Sequence, residues 1–282
     1  MILTNAQEMM KIRRRSMPKI SVIMGIYNTK SKNYLKISIN SILSQTYKDF
    51  ELIICDDGSS NDCVKWAKEI CKNDNRVIFI KNDTNRGLAY TLNHCLKYAK
   101  GEFIARMDDD DFSHIDRFEK QINVLEENRD IDLVSCNINL FDDNGVYNSL
   151  KYPANIQNKD FLFNSPIVHP AIMARKSAFD KVGGYKDCKH TIRVEDYDLF
   201  MRMKSANIKM YVIQDILFDY RDDRENSIRR KKYKYRINEF FVRLDGFKKL
   251  HLFPKGLIYV FKPLIVGILP INVIRKIREK GK

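Results

Sequence analysis

The residues most able to do chemistry are four consecutive aspartates, Asp108-Asp109-Asp110-Asp111. Adjacent carboxylates repel, and each raises its neighbours' pKa unless a cation lies among them. A hard divalent ion with oxygen ligands, Mg²⁺ or Mn²⁺, suits such a set and usually also holds substrate phosphates. A calcium EF-hand is excluded. Asp108, Asp110 and Glu119 match its first, third and last ligand positions, but Phe112 and Ser113 stand where it needs a ligand and a glycine. Taken alone, the run would serve equally as a solvated turn ahead of the helix carrying Phe118, Ile122 and Leu125. A second acidic segment is Asp56-Asp57-Gly58-Ser59. A carboxylate there accepts a hydrogen bond from a base that presents a ring N–H, which uracil and guanine do and cytosine does not. An ordinary Asp-Gly turn has the same sequence. The third is Glu195-Asp196, a pair that also suits the positive end of a helix dipole.

The flanking pattern says what positions these acids. Ile20–Ile26 is a nearly continuous apolar run, as in a buried parallel strand. Leu35, Ile39, Ile42 and Leu43 form the stripe of an amphipathic helix. Phe50–Cys55 reads as a second strand, ending at Asp56. A helix over 61–72 follows, with Cys63, Trp66, Ala67 and Ile70 inward, then a strand at Val77–Ile80. Leu88, Leu92, Cys95, Leu96 and Ala99 mark another helix, with Gly101 where a left-handed C′ glycine belongs. Phe103–Met107 runs straight into the aspartates. Strands alternating with helices predict an α/β fold with a mainly parallel sheet, whose ligands bind beyond the strands' carboxyl ends. Two of the acidic segments fall there. After residue 130 the pattern changes to a long strand at Ile131–Phe141 and a turn at Asp142–Gly145. An irregular stretch over 150–190, a helix over 195–206 and strands at 210–213 and 216–220 complete this half.

At 282 residues the chain is one large domain or two modest ones, and 44% hydrophobic content excludes wholesale disorder. Fifty Lys+Arg against thirty-six Asp+Glu leave +14, which favours an anionic partner: nucleic acid, a nucleotide or an acidic membrane face. A nucleic-acid-binding protein would account for the charge but not for acids at two strand ends. No glycine-rich loop follows the first strand, which excludes a NAD-dependent oxidoreductase and counts against a nucleotidyltransferase. The six cysteines contain no CxxC pair and no apolar segment follows Arg13-Arg14-Arg15, so they read as reduced core thiols of a cytosolic protein. His169 reads as a hydrogen-bonding structural residue. From Gly256 to Ile274 the chain is mainly apolar, but Lys262 interrupts it, and Pro263 and Pro270 should break a straight helix. Residues 263–274 fall short of the roughly 20 that span a bilayer. Basic clusters at 229–236, Lys248-Lys249 and 275–278 surround this stretch. Apolar insertion with a basic surround describes a helix lying in a membrane interface, and packing onto the core or a dimer contact is the alternative.

The order of segments carries more than any one of them. Val22–Asn28, Ser41-Ile42-Leu43-Ser44-Gln45-Thr46 and Phe50–Ser59 resemble the family 2 inverting glycosyltransferases, whose nucleotide-sugar-binding fold is called GT-A. Asn85-Arg86-Gly87, Gly101–Ile104, the aspartate run, Gly183-Gly184-Tyr185 and Glu195–Leu199 continue the match, covering about residues 18–225. Met17-Pro18 directly precedes the first strand, so residues 1–17 read as a leader, and the resemblance implies a GT-A domain over 18–225. Within it, a nucleotide-binding half would cover about 18–112 and an acceptor half about 113–225. A basic and apolar helical extension would follow over 226–282. It implies that Tyr27 stacks on uracil, Asp57 reads its N3–H and Arg86 approaches the nucleotide. Asp108 and Asp110 match the ends of the DxD metal motif, with Asp109–Asp111 as a competing register because Asp109 is larger than the usual middle residue. Asp196 matches the catalytic base, since a hydroxyl that attacks an anomeric carbon must lose its proton to a group within hydrogen-bond reach. Asp222 and Asp223 stand in a loop where relatives often carry histidine. The expected protein transfers a hexose from a nucleotide diphosphate sugar, UDP foremost, to a growing surface glycan. It would use Mn²⁺ or Mg²⁺ at the inner face of the cell membrane, with no nucleic-acid partner.

Overall fold

The structure, a computed structural model, describes residues 17–222 and 232–269. Nearly all of the expected leader, Asp223, the basic residues 229–231 and the end of the tail from 270 lie outside them.

The first half alternates as expected. Strands β1 (Ile20–Ile26), β2 (Phe50–Asp56), β3 (Val77–Lys81) and β4 (Phe103–Arg106) pair in the order β3-β2-β1-β4, all parallel. Apolar runs are continuous here because both sheet faces are covered. Ile23, Ile53 and Ile104 meet Leu92 and Cys95 of α3 (Leu88–Tyr98) on one face. Val22, Leu52, Ile54 and Ala105 meet Leu35, Ile39 and Ile42 of α1 (Lys32–Leu43) on the other. Helix α2 (Cys63–Cys71) buries Cys63, Ala67 and Cys71 on that same side. Five of the cysteines are buried, Cys188 is half-buried and none is paired.

The second half extends the sheet with mixed pairing. Helix α4 (Arg117–Glu127) follows the short β5 (Phe112–Ser113), and β6 (Leu133–Asp142) turns tightly into β7 (Gly145–Leu150). The irregular stretch contains two 3₁₀ turns, β8 (Met173–Arg175) and α5 (Lys176–Val182). β8 lies antiparallel between β4 and β6. Past α6 (Glu195–Ser205) comes a single strand, β9 (Met210–Arg221), where two were expected. β9 runs parallel to β6, and the polar Gln214-Asp215 step bulges out where the register shifts. β5 then closes the sheet edge against β9.

Two further helices, α7 (Tyr233–Lys249) and α8 (Leu257–Ile268), form an antiparallel hairpin on α6. Pro263 was expected to break α8, but the helix runs through it. One backbone bond is forgone, and the buried proline ring supplies packing in its place.

Gly101 also departs from expectation. It is not left-handed, and its use is close approach: a Cβ there would lie 2.5 Å from the Ser21 nitrogen on β1. Its N–H donates to Ser21 Oγ (2.8 Å), which donates to Glu51 (2.6 Å), so β4 enters the sheet against a buried polar clasp. Gly101→Ala must push backbone from backbone. We expect a loss of about 1–3 kcal/mol in denaturant unfolding, and an unchanged midpoint would show that β4 does not depend on this approach.

Candidate active site

The turn after β2 is built around Asp57. Its N–H donates to Ile26 O (2.9 Å), tying the turn to β1. Its buried carboxylate accepts from Asn82 Nδ2 and the Arg86 N–H on Oδ1 and from the Gly87 N–H on Oδ2, each at 2.8 Å. Asp57 therefore fixes the loop that carries Arg86, whose guanidinium lies 4.3 Å over the Tyr90 ring. Tyr27, at the end of β1, leaves its ring 49% exposed beside this loop's anchor. Asn28 adopts a positive φ of 47°, and its Oδ1 accepts from the Ser60 N–H (2.8 Å), joining the ends of β1 and β2.

The aspartates occupy the end of β4, each with a different environment. Asp108 pairs with the wholly buried Arg106, and its backbone oxygen accepts from Ser38 Oγ (2.6 Å). Asp109 accepts a hydrogen bond from the Thr29 hydroxyl. Asp111 is buried, accepts the Arg221 N–H on Oδ1 (2.8 Å) and leaves Oδ2 without a partner. Asp110 is half-buried, and its carboxylate makes no hydrogen bond among the described residues; only its backbone oxygen is engaged, by Arg221 Nε (3.0 Å). Burial, with the Asp108 charge added, pushes Asp109 up to about 6. Burial, then Asp108 and Asp109, push Asp110 up to about 7. Asp111 rises for the same reasons. Burial, the largest influence, would lower the Arg106 pKa, but Asp108, Tyr185 and Asp111 together outweigh it and the group stays cationic.

This donor set fits a small divalent cation. It offers hard oxygens, one buried and orphaned, and an uncommitted carboxyl held part-neutral by its neighbours. Among the described residues no three Asp, Glu, His or Cys groups form a ready cage. A cation here would need further oxygens from water and substrate phosphate, the usual manner of Mg²⁺.

Asp196 lies in the first turn of α6. Its neighbour Glu195 is buried and pushed up by that burial, with the Asp196 charge adding, while Asp198 is committed to Arg202 (2.7 Å). Arg202 also donates to Val182 O and Gly184 O, locking the Gly-Gly-Tyr turn. Gly184, at φ 69°, has no room for a Cβ, which would lie 2.6 Å from Asn93 Oδ1. Asn93 in turn holds both the N–H and the oxygen of Tyr185 (2.9 and 2.7 Å). The Tyr185 hydroxyl meets His169 Nε2 (2.7 Å), so His169 is the structural histidine expected of it, kept neutral by burial and by Arg106. Tyr185 and Tyr220 connect the two acidic groups. Burial raises both phenols, and Asp108 and Asp196 each raise them further. The aspartate run and the α6 acid thus act on the same two rings.

Comparison with known proteins agrees with this architecture. The glycosyl transferase family 2 profile matches residues 21–183. EpsE of Bacillus subtilis strain 168, named as a glycosyltransferase, is 37% identical over 264 residues, covering 93% of this chain and 94% of its own. The chain belongs to glycosyl transferase family 2. An Escherichia coli relative of this glycosyltransferase is named UDP-Gal:alpha-D-GlcNAc-diphosphoundecaprenol beta-1,3-galactosyltransferase. It is 28% identical, with 90% of this chain and 92% of that one aligned. Among solved structures, Staphylococcus aureus TarS 1–349 in complex with UDP-GlcNAc superposes with a TM-score of 0.67 at 17% identity, over 86% of this chain and 73% of TarS. The mannosyltransferase PcManGT of Pyrobaculum calidifontis, in complex with GDP-Man and Mn²⁺, gives 0.59 at 16%, over 99% and 87%. These likenesses establish the GT-A fold of the glycosyltransferase.

Sequence reasoning singled out every acid here but missed the groups that arrange them. Arg106 was legible as a lone cation inside the apolar strand Phe103–Met107. Arg221 stacks on Tyr34 (3.7 Å) and Phe141 (4.4 Å) while gripping Asp110 and Asp111, and it carried no local signal. The Asp57 loop yields a direct test. Asp57→Asn keeps one acceptor oxygen but turns an NH₂ toward donors. We expect a loss of about 2–3 kcal/mol in stability and faster hydrogen exchange at the Arg86 and Gly87 amides. Unchanged exchange there would mean that the carboxylate does not hold the loop.

Proposed function

We propose that this glycosyltransferase moves a hexose, with inversion, from a nucleotide diphosphate sugar to a hydroxyl of a growing cell-surface glycan carried on a lipid. The observation that carries the reading is the shared influence of Asp108 and Asp196 on Tyr185 and Tyr220. This shared influence supports reading a phosphate-side acid group and a candidate base as parts of one site. UDP is the favoured nucleotide, in keeping with the UDP-Gal and UDP-GlcNAc named for the E. coli relative and for TarS.

In this reading Tyr27 stacks on the base, and Asp57 serves it twice. The carboxylate anchors the Arg86 loop, and Oδ2, with one N–H accepted, keeps a lone pair for a ring N–H. Asp108 and Asp110 hold the cation. That register is favoured over Asp109–Asp111 because it includes Asp110, the one carboxylate of the run with no side-chain hydrogen bond or ion pair among the described residues, whereas Thr29 engages Asp109. Bound there, Mn²⁺ or Mg²⁺ supplies positive charge against the diphosphate. Asp196 takes the acceptor's proton as its oxygen attacks the anomeric carbon and the bond to the diphosphate breaks. Asp196, only partly buried, is better suited than Glu195 or Asp198, both of which are buried. The acceptor's lipid puts the reaction at the inner membrane face, with the chain peripheral. Among the described residues no helix is long and apolar enough to cross a membrane.

Two variants separate binding from chemistry. Asp110→Asn is expected to weaken UDP binding in Mn²⁺ far more than in EDTA, by titration calorimetry. Equal affinity of the wild type with and without metal would sink the metal assignment. Asp196→Asn is expected to keep donor affinity while turnover falls about 10²–10⁴-fold. Near-normal transfer by that variant would remove Asp196 as the base.

A further inference from the structure

The α7–α8 hairpin carries an unusual surface. Of the residues in α7, Tyr233, Ile237, Phe241 and Leu244 are exposed, and at helical spacing they share one arc. Val242, Arg243, Gly246 and Phe247 are buried on the opposite side. Helix α8 repeats the arrangement. Leu257, Ile258, Phe261, Ile265 and Ile268 are exposed along one arc, Ile258 by 78% and Ile268 by 69%, while Val260 and Pro263 face inward.

The two stripes adjoin. The Phe240 ring lies 5.3 Å from Phe241 and 5.4 Å from Phe261, and Gly267 sits against Tyr233 at the far end. The result is one contiguous apolar face across two helices, of a kind monomeric proteins rarely leave in water. Its rim is basic. Lys248 continues the α7 stripe one turn past Leu244, and Lys234, Lys249 and Lys255 stand exposed around it. The hairpin's two acids are neutralised locally, Glu239 by Arg236 and Arg243, and Asp245 by Lys249.

The face is also built into the acceptor side. Arg243 donates to the oxygens of Leu162 and Phe163 (2.9 Å each), Asn238 to Ile192 O (3.1 Å), and Phe241 lies 5.1 Å from the His190 ring. A groove of about 470 Å³ opens beside it, lined by Phe163, Leu162 and Tyr259 among others.

We infer that the joined α7–α8 face is the surface by which this glycosyltransferase lies in the headgroup region of an anionic lipid leaflet. The inference rests on the proposed lipid-carried acceptor. It adds that contact is made by a folded two-helix face rather than by the tail alone. An apolar arc with a lysine rim is complementary to acyl chains below and anionic headgroups beside them. The face fixes the molecule's orientation, because the α6 that bears Asp196 packs directly on the hairpin.

The test is sedimentation of the full chain with vesicles of phosphatidylcholine alone and of phosphatidylcholine mixed equally with phosphatidylglycerol. The wild type should pellet with the mixed vesicles at low salt and be released as salt rises. Ile258→Glu with Ile265→Glu, both exposed, should cut the bound fraction about tenfold or more with an unchanged thermal melt. Lys234→Glu with Lys248→Glu should do so for mixed vesicles. Transfer to a water-soluble acceptor should survive in both variants. A wild type that transfers sugar but ignores vesicles overturns this surface and leaves the enzymatic reading standing. Vesicle binding without transfer does the reverse. A wild type that dimerises in solution and ignores vesicles, with the Ile→Glu variant monomeric, overturns the inference in favour of a second copy.

Discussion

The arrangement depends on one electrostatic constraint: four carboxylates gathered at the end of a buried strand. Such a group would push itself apart or neutralise unless most of its members had restraints of their own. Each restraint comes from a different element. Arg106 is on β4 itself, Thr29 follows β1, Ser38 is on α1 and Arg221 ends β9. Gathering the acids therefore requires the parallel half and the mixed half of the sheet to be assembled together. The β9–β6 pairing and the β5–β9 closure at the sheet edge deliver Arg221 to the aspartates. The residual strain falls on Asp110, the member without a side-chain partner, which is where a cation would relieve it most.

A second chain of contacts does the same for the acceptor side. Asp198 fixes Arg202, Arg202 fixes the Gly183-Gly184 turn, and Asn93 clamps Tyr185 from α3. Tyr185 then rests on His169, a buried neutral imidazole, instead of on a charge. The hairpin supports this assembly from behind, with Gly246 kept bare against Met201 of α6. Asp196 is thus held by a helix that is packed on two sides, the rigid placement that the base role proposed for it would need.

The parallel half was legible because its signals are local and periodic. Ile20–Ile26 and Phe50–Cys55 are each apolar but for one residue, Ser21 and Glu51, and helix stripes separate them. The acids were legible because they end those strands. What stayed hidden is non-local. Arg221 matters through Asp111, 110 residues away, and no window of sequence contains both ends of that contact. Arg106 lies two residues from Asp108, but nothing local shows that its side chain turns back to it from inside the core. Gly101 was correctly singled out for the wrong reason, since a C′ glycine and a glycine under a neighbouring strand look alike in sequence. The β9 bulge looked like a break between two strands because Gln214-Asp215 is polar, yet the partner strand β6 carries the pairing across it.

The chain's charge distribution ties these parts together. A net charge of +14 surrounds an acidic well, and the two have opposite effects on a diphosphate. At long range the positive field draws in an anionic donor and an anionic lipid surface alike. At contact the well repels phosphate, so the field alone cannot seat the donor. In the proposed reading, a divalent cation held by Asp108 and Asp110 would reverse the sign where the diphosphate binds and leave the rest of the field intact.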